Sequence, residues 1–325
     1  MVKALRELKL LTAAVLIMLS SPSYSGDTIA FTSAGTGSDE IWLIDTESGQ
    51  ETQLTSRGGS NPVWSPDGVW IAFERTDSVG QSQIWIMNAD GSQQLQLTQE
   101  GGSQPSWSPD GSQIAFVSQR TGTSTLWSMH VDGMHSTQLT TEESLNPVWS
   151  PGGDLIAYSG LRTFQTRIFV ADPEAETETA LTPDTTGAFS PAWSPDGKRV
   201  AFVSDSNGDY AIWTMDSSGN DRELLAANGR CFEPDWSPDG GMIVYSMLFL
   251  GNDRRVCIVN SDGSGVMELT EEGWGSPRWS ADGSLISCVS AGSEIPQIWI
   301  LNPDGSVLEQ LTSQGGEDPD WKPLP

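Results

Sequence analysis

The sequence predicts an all-β fold: a seven-bladed β-propeller of four-stranded antiparallel blades, closed by its C-terminal strand. Three observations predict it. A tryptophan recurs as Trp64, Trp107, Trp149, Trp193, Trp236, Trp279 and Trp321, at intervals of 43, 42, 44, 43, 43 and 42 residues. A proline stands two positions before each of them (Pro62, Pro105, Pro147, Pro191, Pro234, Pro277, Pro319), and Ser-Pro-Asp-Gly or a near variant follows the first six. Each period also holds four short β-type segments separated by turn chemistry, which is the pattern of a propeller blade, while the density of Gly and Pro excludes a helical repeat.

The segments follow in a fixed order. Segment A is Pro-x-Trp, and the Pro and Asp-Gly of Ser65-Pro66-Asp67-Gly68 punctuate the tight turn after it. Segment B is apolar, as in Ile71-Ala72-Phe73 and Val200-Ala201-Phe202. After a variable stretch comes segment C, Ile-Trp-Ile or similar, as at Ile84-Trp85-Ile86 and Ile298-Trp299-Ile300. A hairpin turn such as Asn88-Ala89-Asp90-Gly91 leads to segment D, typically Gln-Leu-Thr as at Gln96-Leu97-Thr98. The first B segment (Ile29-Ala30-Phe31) opens the repeats and the last A segment (Trp321) ends them, so the C-terminal strand is expected to complete the N-terminal blade.

Composition agrees with a folded, turn-rich chain. Gly 34, Pro 19 and 37% hydrophobic residues describe loops in abundance, and 14 tryptophans require a packed core. The net charge of -27 would repel a phosphate backbone or an anionic lipid surface, so neither nucleic acid nor membrane insertion is expected. Lys3, Arg6 and Lys9, then the apolar run from Leu10 to Leu19, then Ser23-Tyr24-Ser25 form the three parts of a secretory signal peptide. Cleavage after Ser25 leaves residues 26–325 as a single propeller domain, and with no cysteine following the apolar run, release as a soluble periplasmic or secreted monomer is expected. Cys231, Cys257 and Cys288 are an odd set, and a disulfide framework is not expected.

The Pro-x-Trp-Ser-Pro-Asp-Gly, Ile-Ala-Phe, Ile-Trp and Gln-Leu-Thr elements resemble the WD-like propeller repeats of the TolB family, over almost the whole chain after the leader. The resemblance implies a periplasmic location and a protein partner. The sequence differs from that family in counting seven blades rather than six, and in having no α/β domain between leader and propeller.

Strand alternation puts the A-to-B and C-to-D turns on one face of the disc and the B-to-C and D-to-A loops on the other. The first face carries short stereotyped turns; the second carries longer, unlike loops, where functional groups concentrate. The only histidines, His130 and His135, flank a turn on the short-turn face, and there is no Gly-x-Ser-x-Gly elbow, so histidine-metal and serine-hydrolase chemistry find no residues.

The candidate binding residues therefore lie on the variable face. Arg57, Arg75, Arg120 and Arg162 form a basic arc from blades two to four, opposite an acidic arc of Asp39, Glu40, Glu271, Glu272, Glu294, Glu317 and Asp318. Trp274 and Phe189 are non-repeating aromatics in D-to-A loops. Asn61, Gln104, Asn146, Ser190, Glu233, Ser276 and Asp318 each precede an A-segment proline and are placed at the channel mouth.

Asp205 and Asp209 lie in a loop with oxygens at alternate positions, a candidate for a weak calcium (Ca2+) site. The expected function is non-enzymatic binding of a protein or peptide. The alternative is a hydrolase or lyase acting on a saccharide or small molecule through the channel carboxylates Glu233, Asp235, Asp318 and Asp320.

Overall fold

The computed structural model describes residues 28–249, 253–271, 273–290, 295–306 and 308–324; the leader at residues 1–25, Glu272 and Glu294 lie outside them. The described residues form seven antiparallel sheets of four strands and no helix. In blade 1 the strands A to D are Glu317–Trp321, Thr28–Ser33, Glu40–Asp45 and Glu51–Gln53. In blade 2 they are Ser60–Trp64, Trp70–Thr76, Ser82–Asn88 and Leu95–Gln96, and the order repeats through blade 7. Strand A of each blade touches strand A of the next, and blade 7 touches blade 1 in the same way, so the A strands line a central axis.

Closure is as the repeat predicts. Strand Glu317–Trp321 pairs antiparallel with Thr28–Ser33, with Ile29 opposite Trp321 and Ala30 opposite Asp320. The last strand thus covers an inner edge of the first blade that would otherwise expose unpaired backbone.

The repeat motifs are read out as local hydrogen bonds. In the turn after strand A of blade 2, Ser65 Oγ donates to Asp67 Oδ1 at 2.6 Å and accepts from Trp70 N at 2.9 Å. Gly68 N donates to Ser65 O at 2.8 Å and takes φ of 64°, a conformation that costs a side-chain-bearing residue about 1 kcal/mol or more. After strand D, the threonine of Gln-Leu-Thr caps the neighbouring C strand. Thr98 Oγ1 accepts Ile84 N at 2.9 Å, and Thr312 Oγ1 accepts Ile298 N at 2.9 Å.

The core is distributed rather than central. Seven hydrophobic clusters each join the facing sheets of two adjacent blades, as where Ala30, Ile41 and Leu43 of blade 1 meet Trp64, Ile71 and Phe73 of blade 2. The strand A tryptophans are the wedges of these seams, every one between 5% and 8% exposed. Each removes roughly 200 Å2 of aromatic surface from water, on the order of 5 kcal/mol as an upper figure. Cys231, Cys257 and Cys288 are free and fully buried, and burial pushes each thiol up to about 12. Cys231 and Cys257 sit on strands A and C of blade 6, with strand B between them and two residues out of register, so their backbones are at least about 9–10 Å apart and beyond disulfide reach.

Candidate functional site

The seven residues before the strand A prolines share one backbone state. Asn61, Gln104, Asn146, Ser190, Glu233, Ser276 and Asp318 have φ between 50° and 55°, in the left-handed region, and in six of the seven A-to-B pairings the register shifts around this residue. The seventh, between blade 1 strands, shifts between Ala30 and Thr32, opposite Asp318. At five of these bulges the backbone N–H turns away from its own sheet and bonds to the preceding blade. Asn61 N donates to Thr32 Oγ1 at 3.0 Å, Gln104 N to Glu74 Oε1 at 2.8 Å, and Asn146 N to Gln104 Oε1 at 2.8 Å. Ser190 N donates to Ser159 Oγ at 3.0 Å and Ser276 N to Glu233 Oε2 at 3.0 Å. The left-handed strain of non-glycine residues is offset by these bonds between blades, and the mouth of the channel is a stitched polar ring.

The ring is electrostatically uneven. Thr32 Oγ1 donates to Asp318 Oδ2 at 3.1 Å, and Asn61 Nδ2 donates to Glu74 Oε1 at 2.8 Å. Burial, with Glu74 nearby, raises the Asp318 carboxyl above its usual range, and burial does the same to Glu317. Blades 6, 1 and 2 thus bring Glu233, Asp318 and Glu74 to the mouth, while blades 3 to 5 bring only Gln104, Asn146 and Ser190.

One level deeper stand the middle residues of Pro-x-Trp: Val63, Ser106, Val148, Ala192, Asp235, Arg278 and Asp320. They bond to the next blade in one of two ways. Where this residue is Val63, Val148, Ala192 or Arg278, its carbonyl accepts the indole N–H of the next blade's tryptophan, as for Trp107, Trp193, Trp236 and Trp321 at 3.1 to 3.3 Å. Where it is Asp320, Ser106 or Asp235, its side chain accepts the backbone N–H of Trp64, Trp149 or Trp279 instead. In those three tryptophans the buried indole Nε1 has no hydrogen-bond partner. Asp235 and Asp320 keep some surface open to the channel, yet strands enclose both, and burial raises Asp235 and pushes Asp320 up to about 6. Arg278, from the blade between them, opposes both shifts without forming an ion pair among the described residues.

The four arginines of the basic arc have different surroundings. Arg75 is 8% exposed, donates to Gly58 O and Gln94 Oε1 at 2.7 and 2.8 Å, and lies 4.4 Å from the Trp85 ring centroid. Arg120 stacks over Trp127 at 4.2 Å, and Arg162 pairs with Glu142 and Glu178 at 3.3 and 3.0 Å. Three of the arc's guanidinium groups are thus engaged in the framework, and Arg57 is exposed. Trp274 packs edge-on against Trp299 with centroids 5.0 Å apart. Phe189 joins Tyr210 and Phe232 in a half-buried aromatic trio, with Arg230 over the Tyr210 ring at 4.8 Å. Asp205 Oδ1 accepts Gly187 N at 2.8 Å, while Asp209 Oδ1 accepts Tyr210 N and pairs with Arg230 at 3.3 Å. Among the described residues no three His, Cys, Asp or Glu side chains gather as a metal-holding group.

Among the described residues the most exposed large apolar side chain is Phe164, at a position no sequence motif marks. Strands B and C of blade 4, Ile156–Arg162 and Gln165–Asp172, are joined by the two-residue turn Thr163-Phe164 on the variable face. Phe164 is 97% exposed, and both turn residues are left-handed, with φ of 51° and 70°. A two-residue hairpin of this hand prefers Asn-Gly; Thr-Phe carries strain, and strain of this kind collects at functional positions. No turn residue marks the position in the sequence, which is why pattern reading does not find it.

The family model of the TolB β-propeller domain matches residues 5–186 and 131–324. The chain belongs to the TolB β-propeller family. TolB from Acinetobacter baumannii is similar in fold, with a TM-score of 0.62 and 21% identity over 88% of this chain and 79% of that one. An oligogalacturonate lyase in complex with manganese superposes with a TM-score of 0.72 at 15% identity, over 86% of this chain and 87% of that one. A puromycin-hydrolyzing peptidase from Mycobacterium tuberculosis gives 0.70 at 15% identity, over 89% of this chain but 54% of that one. No curated protein sequence matches the chain. At these identities the TolB-type ring is what is shared, and rings of this family differ in the loops they carry.

Proposed function

We propose that this protein is a non-enzymatic periplasmic or secreted propeller that binds a protein or peptide partner through its variable-loop face. The observation that carries this reading is Phe164. An almost completely exposed aromatic at a strained hairpin tip costs stability and solubility unless something covers it, and aromatic side chains are the commonest anchors of protein interfaces. The stem beneath it is rigid, because Arg162 ties strand B to Glu142 and Glu178 and stacks over Phe169 at 4.6 Å. Val79, 83% exposed, stands at the corresponding tip of blade 2 on the same face. The acidic half of the mouth, with Glu233, Glu74 and Asp318, would orient the partner. The leader-like residues 1–25 support export.

The arrangement of the axial carboxylates favours binding over catalysis. Asp235 Oδ2 and Asp320 Oδ2 are each committed to a tryptophan backbone N–H, with Arg278 of the intervening blade between them. Affinity capture from periplasmic extract tests the proposal. The wild type and an Asp110→Arg variant on the opposite face should retain the same partner, and Phe164→Asp should lose it. Loss with Asp110→Arg and retention with Phe164→Asp would place the interface on the other side.

A further inference from the structure

At the other end of the channel the strand A tryptophans of blades 1 to 4 line an open pocket of about 280 Å3. Trp321, Trp64, Trp107 and Trp149 form its wall, and Asp320 and Ser106 are polar groups in that wall. The volume is at the lower end of small-molecule sites. Its single ionisable group is Asp320. One oxygen of that carboxylate accepts Trp64 N at 2.7 Å, and among the described residues the other accepts no hydrogen bond and no cation lies within ion-pair distance. The wall already receives a cation: the Lys322 ammonium stands 5.5 Å from the Trp64 ring centroid.

We propose that this short-turn mouth of the channel binds a small monovalent organic cation, an alkylammonium, with Asp320 as counter-charge and the tryptophan wall as its apolar and cation–π surface. A part-buried carboxylate with no cation at ion-pair distance is costly, and burial pushes Asp320 up to about 6 against the opposing charge of Arg278. An ammonium in the pocket supplies the missing charge while its alkyl groups meet indole and valine surface. A divalent ion is a poor match, because calcium takes six to eight oxygens and this pocket offers one carboxylate and one hydroxyl. An anion would face the Asp320 charge. The site lies on the face opposite Phe164, so it stands or falls separately from the partner interface.

The test is a titration of the full chain with tetramethylammonium at pH 7.5, followed by tryptophan fluorescence and by calorimetry. Neopentyl alcohol, a neutral molecule of nearly the same shape, and calcium chloride are titrated in parallel. Saturable binding of the ammonium, with the alcohol roughly tenfold weaker or worse, is expected. Asp320→Asn should lose the same factor, Asp320→Glu should recover most of it, and Glu233→Gln at the opposite mouth should bind as wild type. Equal binding of ammonium and alcohol, an unchanged Asp320→Asn, or saturation by calcium but not by ammonium would each overturn the proposal. The comparison of ammonium with alcohol needs no variant and holds even if Asp320→Asn does not fold.

Discussion

Trp107 of blade 3 donates its indole N–H to the backbone carbonyl of Val63 in blade 2, at 3.1 Å across the seam. Its equivalent one blade earlier, Trp64, buries the same N–H with no acceptor, because Asp320 takes the Trp64 backbone N–H instead. Two tryptophans of equal burial therefore differ in whether the indole nitrogen contributes.

Replacing each by phenylalanine separates the two cases. Trp107→Phe strands a buried carbonyl, while Trp64→Phe removes a donor that has no partner. Both lose ring volume, but Trp107→Phe should be the more destabilising by about 1–2 kcal/mol. Urea unfolding midpoints of the two variants measure the difference.

Asp320 gives the ring a pH dependence of defined sign. Its carboxyl titrates near 4 when unfolded and at about 6 when folded. Between those values the folded state holds a proton that the unfolded state has released, so stability falls as pH rises through that window and levels off above it. Turn aspartates such as Asp110 and Asp239, lowered by hydrogen bonds from Ser108 and Ser237, work in the opposite direction, so the comparison must be between variants. Asp320→Asn can still accept Trp64 N and should gain on the wild type between pH 4 and 7, by at most about 3 kcal/mol. Thermal melts of both proteins at pH 4, 5, 6 and 7 measure the difference.

The turn at Phe164 should show opposed effects on stability and binding. Changing Thr163-Phe164 to Asn-Gly supplies residues suited to the left-handed turn and should raise stability by about 1 kcal/mol. The same change removes the aromatic anchor. A higher melting temperature with reduced partner capture is expected, and unaltered capture would dismiss Phe164 as the anchor.

Removing residues 318–325 deletes most of strand A of blade 1, with Trp321 in the seam between blades 7 and 1. Loss of one buried tryptophan alone costs about 3–5 kcal/mol, and the opened edge adds association. Circular dichroism melts should move down strongly and light scattering should rise. A wild-type melt would contradict closure through this strand.

The fold was legible because its determinants are local and repeated. Pro-x-Trp, Asp-Gly and Gln-Leu-Thr each encode one turn, wedge or cap, so their repetition from blade to blade writes the ring out. The pre-proline residues were legible as positions, but their left-handed backbone was not: Gln104 and Glu233 are poor advertisements for it, and it arises from bonds to the preceding blade. The arginines mark the limit most clearly. A loop-edge Arg75 reads as a free charge, whereas its guanidinium is taken up by Trp85, Gly58 and Gln94, partners brought near only by the hairpin and the seam. Phe164 was silent for the converse reason, since Thr-Phe announces a strand rather than a turn.

The pairing of Ile29 with Trp321 also fixes an order of events during synthesis. Blades 2 to 7 can each complete their four strands as soon as their own stretch of chain has emerged. Strand B of blade 1 must wait for strand Glu317–Trp321, so the ring stays an open horseshoe until that strand has emerged. Closure pairs strands about 290 residues apart, the longest-range contact in the ring and the one that chain entropy opposes most.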